Sequence, residues 1–310
     1  MTKERCVLAY SGGLDTSVAI RWLSEHLGFE VVTLTADLGE TDDVDAVAQR
    51  ALRTGAVSAH TVDARRIFVE QFCFPTLAAG ALYEGVYPLA TALARPLIAK
   101  LLVDVAREEN AVAVAHGCTG KGNDQVRFDV AVASLAPELR VVAPVRDWDM
   151  GRPQELDYAA RHGIEVPVTV ESPYSIDANV WGRSIESGLL EDPWTEPPGG
   201  VFAWTAEPAD GSAAKTDVVI GFEQGIPISL DGERLVAEEL VMRLNALAGA
   251  AGIGRVDHVE NRLVGIKSRE IYEAPAAVVL YVAHAAVEAL TLTRDVAGFK
   301  RTVADEWARL

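Results

Sequence analysis

The residues that point most directly to chemistry form a short polar loop near the N-terminus, Ser-Gly-Gly-Leu-Asp-Thr-Ser at 11–17 (the phosphate loop). Its adjacent glycines let the backbone bend and come close to a ligand, because no Cβ stands in the way. Ser11, Thr16 and Ser17 add hydroxyl groups. The free N–H groups and the dipole of a helix start favour an anion. The loop is therefore predicted to hold a phosphate or pyrophosphate.

A second polar loop spans 116–128 and carries glycines at 117, 120 and 122. Asp124 is suited to accept a hydrogen bond from an ammonium group, while Lys121 and Arg127 are suited to pair with carboxylates. This mixture of charges favours a zwitterionic amino acid as the ligand. An ordinary solvated glycine loop is the alternative, and the density of polar residues makes it the weaker one.

Both loops must be positioned by the regular elements of the first half, where apolar strand patterns alternate with helical ones. Such alternation predicts a parallel sheet with helices on both faces, whose ligands bind at the carboxyl ends of the strands. Both loops leave such ends. Strands are predicted at 6–9, 31–36, 57–62, 111–116 and 141–143, and helices at 18–27, 44–52, 67–74 (ending at Pro75), 93–106 and 154–162.

The pattern changes near residue 165, after which prolines interrupt the chain repeatedly. A β-hairpin is predicted from strands at 218–222 and 226–230. Helices are predicted at 235–247 and 278–290, with a last helical pattern running to Leu310. We therefore predict an N-terminal α/β domain at 1–165 and an α+β domain at 166–310.

Composition excludes several classes of function. With a net charge of −17 in 310 residues, the chain is unsuited to holding a nucleic-acid backbone across a broad face. No apolar run reaches membrane-spanning length, and Met1 leads into the first strand without a signal peptide. Cys6, Cys73 and Cys118 form no metal or disulfide pattern, which suits a reducing cytoplasm. We expect neither a nucleic-acid nor a membrane partner, and a cytoplasmic location.

The phosphate loop is neither a Walker A motif nor Gly-x-Gly-x-x-Gly, and it resembles the pyrophosphate loop of the N-type ATP pyrophosphatases. A longer series of segments, in order along almost the whole chain, resembles the argininosuccinate synthase family. The resemblance implies an N-terminal nucleotide-binding domain of that pyrophosphatase kind followed by a synthetase, substrate-binding domain. The matching segments are 9–17, 36–39, 81–89, 93–96, 116–128, 173–177, Ser184, 190–194, 254–262 and 267–273.

The resemblance implies a ligase that joins L-citrulline to L-aspartate with ATP as substrate, through a citrullyl-AMP intermediate, in arginine biosynthesis. Mg²⁺ would accompany the nucleotide, although the sequence shows no metal-ligand set. Implied ATP-binding residues are Ala9, Tyr10, Ser11, Gly12, Gly13, Leu14, Asp15, Thr16, Ser17, Ala36 and Gly117. Implied aspartate-binding residues are Thr119, Asn123 and Asp124, and implied citrulline-binding residues are Tyr87, Asn123, Arg127, Ser175, Ser184, Glu260 and Tyr272.

Among these, Asp15, Asp124 and Arg127 are the candidate catalytic residues. Glu260 and Asp124 can each take the ammonium group of one amino acid, and Arg127 can bind the citrulline carboxylate through two N–H groups. The hydroxyls of Ser175, Ser184 and Tyr272 can orient the neutral ureido end.

Two features of the chain differ from the family pattern. Ala90 stands where the family has glycine, and its methyl group is expected either to tighten the citrulline pocket or to require a changed backbone. The chain is also expected to lack a C-terminal segment used in assembly, which would weaken a homo-oligomer. Two alternatives follow: a paralogue that joins aspartate to another ureido or amide acceptor, and a non-catalytic paralogue that binds nucleotide or amino acid.

Overall fold

The computed structural model describes residues 3–39, 43–120, 122–165, 174–207, 217–262 and 265–309. The first half contains five strands that pair in parallel in the order β3-β2-β1-β4-β5. These strands are β1 (Arg5–Ala9), β2 (Glu30–Asp37), β3 (Ser58–Asp63), β4 (Ala113–Ala115) and β5 (Arg140–Val142). The helices of this half are α1 (Leu14–Leu27), α2 (Val44–Thr54), α3 (Arg65–Phe68), α4 (Phe74–Ala79), α5 (Ala94–Glu108), α6 (Asp124–Leu135), α7 (Pro144–Asp147) and α8 (Arg152–Arg161).

Burial on both faces explains the apolar runs of this sheet. Cys6 and Leu8 pack in one core cluster together with Val18 of α1. Val7, between them in the strand, points to the opposite face and packs with Leu102 of α5. Successive strand residues face opposite sides, so a strand covered on both sides reads as a continuous apolar run. The predicted parallel sheet and the core position of Cys6 are confirmed.

The helix predicted to end at Pro75 is wrong in its C-terminal limit. Between α3 and α4 the chain forms a π-helical turn, Val69–Cys73, in which the Phe74 N–H donates to the Val69 carbonyl. Pro75 then lies in the first turn of α4, a position that proline tolerates. The helical path therefore continues to Ala79.

The second half contains two antiparallel sheets, ordered β10-β9-β8 and β11-β12-β7-β6. The predicted hairpin is confirmed as β8–β9, and the α+β texture is confirmed. The strands are β6 (Ser175–Asn179), β7 (Gly182–Glu186), β8 (Ile220–Glu223), β9 (Ile226–Leu230), β10 (Glu233–Arg234), β11 (Arg255–Asn261) and β12 (Lys267–Glu273). The helices are α9 (Ala237–Ala250), α10 (Pro275–Thr291) and α11 (Arg294–Trp307).

The two halves share one hydrophobic core, in which Trp181 is fully buried together with residues of α4, α5 and α9. The Trp181 indole N–H donates to the Pro88 carbonyl at 3.1 Å. The Val180 N–H donates to the Leu38 carbonyl, just beyond β2, at 2.7 Å. The segment between β6 and β7 is thereby fixed against the carboxyl edge of the parallel sheet. The predicted domain boundary after 165 adjoins residues that lie outside the described ranges.

No helix among the described residues is long and apolar enough to cross a membrane.

Candidate active site

The phosphate loop and the second loop meet at the point where the order of the parallel sheet reverses. β1 lies between β2, which follows it in the chain, and β4, which comes much later. A Cβ placed on Gly117 would lie 3.0 Å from Cγ2 of Thr16, so the two loops are in contact. Such a switch point is where open α/β sheets bind their ligands.

Supports on either side hold the phosphate loop in one conformation. Gly12 has φ +79°, a left-handed backbone that strongly favours glycine. Its carbonyl accepts a hydrogen bond from Nη1 of Arg50 in α2 at 2.8 Å, and Ser11 Oγ lies 3.2 Å from Thr16 Oγ1. Gly13 is the N-cap of α1 and provides no side-chain cap. The N–H groups of the first turn of α1 are therefore suited to an anionic ligand.

Two residues of this region support the loop from inside the protein. Tyr10 is 3% exposed and Ser17 is fully buried, and their hydroxyl oxygens lie 3.1 Å apart. The backbone N–H of Ser17 donates to the Gly13 carbonyl. The Tyr10 and Ser17 side chains would therefore have to move before either hydroxyl could contact a nucleotide. Their assignment as ATP-binding residues remains a prediction. Ala9 and Ala36 lie at or near the carboxyl ends of β1 and β2, beside the loop.

A second feature, the central cavity, lies between the two halves and gathers most of the predicted amino-acid ligands. Thr119 and Ser175 are exposed and lie outside its lining, and Lys121 is not among the described residues. Ala90 is fully buried and also lies outside the lining, so the structure gives no support to the predicted narrowing of this pocket. The predicted residues that line the cavity are Tyr87, Asn123, Asp124, Arg127, Ser184, Glu260 and Tyr272.

Asp124 of the second loop is hydrogen-bonded to two arginines, one of which also reaches the second half of the chain. Its Oδ2 accepts from Nε of Arg95 at 2.9 Å, and its Oδ1 accepts from Nη1 of Arg127 at 2.9 Å. Arg95 also donates to Asp177 of β6, from the other half. Burial acts to raise the pKa of Asp124, but the two arginines outweigh it and hold that pKa below its ordinary value. Asp124 is thus an anion. The ammonium group of a substrate would replace its arginine partners.

The lining of the cavity also includes two stacked tyrosines and a buried carboxylate. The rings of Tyr87 and Tyr272 stack with centroids 3.7 Å apart. The Tyr272 hydroxyl donates to Oε2 of Glu260 at 2.6 Å, and Glu260 is 7% exposed. Burial raises the pKa of Glu260, although Tyr272 and Arg262 act in the opposite direction. A cationic partner would therefore stabilise the ionised form of Glu260.

Sequence reasoning missed several charged residues of the cavity as individual candidates. Arg262 donates to Glu270 at 2.7 Å and to Glu186 at 3.1 Å. Burial and the neighbouring Glu270 raise the pKa of Glu186 to about 7. The signal that could have found most of them was their position inside the quoted family segments. The missed lining residues with charge are Arg95, Asp177, Glu186, Arg262 and Glu270.

Among the described residues, no three His, Cys, Asp or Glu side chains are grouped so that they could hold a metal ion.

Comparison with known proteins adds an independent line of evidence. The family model described as "Arginosuccinate synthase N-terminal HUP domain" matches residues 5–165. The family model described as "Arginosuccinate synthase C-terminal domain" matches residues 174–310. The expectation of a missing C-terminal segment is therefore not supported, because the C-terminal domain is present. The weakened homo-oligomer that was inferred from a missing segment therefore has no support either.

Three relatives illustrate the similarity, and each is named argininosuccinate synthase. The protein of Oceanobacillus iheyensis is 55% identical over 309 residues, which cover 100% of this chain and 74% of that protein. The protein of Symbiobacterium thermophilum is 57% identical, with 100% of this chain and 78% of that protein covered. For Rubrobacter xylanophilus the identity is 58%, with 99% and 75% covered.

Proposed function

The chain belongs to the argininosuccinate synthase family, and we propose that the phosphate loop and the central cavity carry out that family's reaction. The chain is a carbon–nitrogen ligase that joins L-citrulline to L-aspartate and converts ATP to AMP and pyrophosphate. The observation that carries the residue-level proposal is the cavity itself. It lies beside the second loop and pairs carboxylates with guanidinium groups, as recognition of zwitterions requires.

ATP occupies the phosphate loop, with its phosphates on the N–H groups at the start of α1. Arg50 and the positive φ of Gly12 keep this backbone in place before the nucleotide arrives. Bound with the nucleotide, Mg²⁺ would supply neutralisation of part of the phosphate charge. Ala36 and Gly117 flank the loop from β2 and from the end of β4.

The two amino acids bind by exchanging ion pairs. The citrulline ammonium group pairs with Glu260, and its carboxylate takes N–H donors of Arg127. The aspartate ammonium group pairs with Asp124, which gives up hydrogen bonds to Arg95 and Arg127. At Asp124 and Arg127 the incoming ammonium and carboxylate groups replace partners of the same sign, whereas the citrulline ammonium group adds a cation beside Glu260, whose present partner is the Tyr272 hydroxyl.

The chemistry then proceeds in two displacements. The ureido oxygen of citrulline attacks the α-phosphorus, a P–O bond forms, and pyrophosphate leaves with the electrons of the α–β bridge. The aspartate ammonium group gives up one proton to solvent, the resulting amine attacks the activated carbon, a C–N bond forms, and AMP leaves with the former ureido oxygen. Orientation and charge stabilisation by the residues above supply the catalysis. The reaction belongs to arginine biosynthesis, and the unpaired cysteines suit a cytoplasmic location.

The test is pyrophosphate release from ATP with citrulline and aspartate together and with each omitted in turn. We expect release only with both, together with argininosuccinate as the product. Release with aspartate and a different acceptor, but not with citrulline, would favour the alternative ligase. Nucleotide binding without release under any condition would favour the non-catalytic alternative.

A further inference from the structure

A turn beside the central cavity holds a glutamate in an uncommon backbone conformation. Glu84 has φ +49° and Gly85 has φ +79°, so two consecutive residues adopt a left-handed backbone. The turn is closed by the Tyr83 N–H, which donates to the Tyr87 carbonyl at 2.8 Å, and by the Tyr87 N–H, which donates to the Tyr83 carbonyl at 3.1 Å. Such positions favour glycine, asparagine or aspartate. A glutamate there points to a role for its side chain.

The Glu84 carboxylate reaches the second half of the chain and is hydrogen-bonded there through both oxygens. Nε2 of His258 lies 2.9 Å from its Oε2, and the side-chain amide of Asn261 donates to its Oε1. The Tyr83 hydroxyl of the same turn donates to the Asn261 carbonyl. His258 and Asn261 both belong to β11. The four residues Tyr83, Glu84, His258 and Asn261 form what we call the rim contact.

Glu84 is ionised in this contact. A carboxylate only accepts hydrogen bonds, so the proton between the two side chains lies on Nε2 of His258. Burial acts to raise the pKa of Glu84, but the hydrogen bonds from Asn261 and His258 outweigh it and hold that pKa below its ordinary value. The Glu84 side chain is 29% exposed and that of His258 is 14% exposed, so water screens the pair only in part.

The rim contact joins the two chain segments that carry proposed citrulline ligands. Tyr83 and Tyr87, at the two ends of the turn, both line the central cavity. Glu260, which precedes Asn261 in β11, lines it as well. Tyr87 comes from the first half of the chain and Glu260 from the second. Their relative position therefore depends on how the turn is held against β11.

We propose that Glu84 is a positioning residue that fixes the turn 83–87 against β11 and so sets the relative position of Tyr87 and Glu260. The inference rests on the proposed function, since it takes Tyr87 and Glu260 as citrulline ligands. A strained backbone persists only where surrounding contacts over-determine it, as the hydrogen bonds of Glu84 do here. No residue of the rim contact belongs to the phosphate loop, so ATP binding should not depend on it.

The test removes a side chain from two turns of matching backbone. Glu84→Gly removes the hydrogen bonds of Glu84 to β11 and relieves its left-handed backbone. Gln224→Gly is the matched control, because Gln224 and Gly225 join β8 to β9 with φ values of +51° and +81°. We expect kcat/KM for citrulline to fall by about fivefold in Glu84→Gly, since partly exposed hydrogen bonds to a charged group are lost. It should keep the wild-type value in Gln224→Gly.

Three further measurements separate positioning from a general loss of stability. The KM for ATP should be unchanged in Glu84→Gly. Glu84→Gln should recover most of kcat/KM for citrulline, because its amide can accept from Asn261 and donate to the other tautomer of His258. Hydrogen exchange of the Val86 and Tyr87 amides, which close the turn, should be faster in Glu84→Gly than in the wild type or in Glu84→Gln.

Failure of the proposed function and failure of this inference are distinguishable. A wild type that makes no argininosuccinate would refute the proposed function, and unchanged exchange of the turn amides in Glu84→Gly would refute the rim contact. An active wild type whose kcat/KM for citrulline is unchanged in Glu84→Gly would overturn the positioning role. An equal fall in Gln224→Gly, or an equal loss for ATP, would also overturn it, because the effect would then arise elsewhere.

Discussion

The phosphate loop takes its residues from one stretch at the end of β1, whereas the central cavity gathers side chains from helices and strands of both halves. The loop presents mainly backbone groups, fixed by the φ of Gly12 and by Arg50. The cavity presents charged side chains that are already paired with one another, such as Asp124 with Arg127. Recognition of a phosphate can be encoded locally, while recognition of two zwitterions requires the tertiary structure.

The largest expected effect comes from removing one charge of the cavity. Glu260→Gln keeps the shape and hydrogen-bonding capacity of the side chain but removes the anion proposed to bind the citrulline ammonium group. Losing one partner of a buried charge pair costs about 2–5 kcal/mol. We therefore expect kcat/KM for citrulline to fall by about 100-fold or more. Steady-state kinetics with each substrate varied in turn measures this.

The KM for ATP should change little in Glu260→Gln, because the phosphate loop does not depend on the cavity. Glu223→Gln, at an exposed site on β8, is the control and should match the wild type. An equal loss of kcat/KM for ATP and for citrulline would show that the phosphate loop and the central cavity do not bind their substrates independently.

A smaller effect is expected from straining the phosphate loop. In Gly12→Ala, the new Cβ would lie 3.2 Å from Nη1 of Arg50 and 3.2 Å from Val47, at a φ of +79°. Strain of this kind costs about 1–3 kcal/mol, so the KM for ATP should rise by about tenfold. The KM values for the two amino acids should stay near those of the wild type.

Gly28→Ala is the matched control for this change. Gly28 caps the other end of α1 with φ +74° and has no atom within 4 Å of the position of a Cβ. The control should lower the thermal stability without altering the KM for ATP. A similar rise of that KM in both variants would mean that the loop conformation is not what governs ATP binding.

The smallest effect concerns the pH dependence of stability. The pKa of Glu186 is raised to about 7 from an ordinary 4.5, so the folded state binds its proton more tightly than the unfolded state. The stabilisation is full below pH 4.5 and is lost as pH rises through 7. The Glu186 side chain is 38% exposed, so we expect a loss of only about 1 kcal/mol.

Glu186→Gln should flatten this part of the curve, as measured by denaturant unfolding at a series of pH values. The Glu223→Gln control should keep the wild-type slope. A variant curve parallel to that of the wild type would show that Glu186 does not titrate in this range.

Much of the first half was predictable because its signals are local. Buried parallel strands appear as apolar runs, and the helix predicted at 44–52 is present as α2, which Gly55 caps with a left-handed backbone. The strands β11 and β12 escaped prediction for the opposite reason. Half of their residues are charged, and their buried positions include Glu260 and Glu270. A strand whose inward face is polar lacks the alternation of apolar and polar residues by which strands are predicted from sequence.

Sequence by itself determined the phosphate loop, the parallel sheet, the position of the second loop and, through resemblance, seven of the seventeen residues that line the cavity. Tertiary structure decided which of these meet. It placed Arg95 between Asp124 and Asp177, and it left Thr119 and Ser175 outside the cavity lining. The physical reason is range. Backbone conformation and strand burial act over a few residues, whereas ion pairs join groups that are distant in the chain and adjacent only after packing.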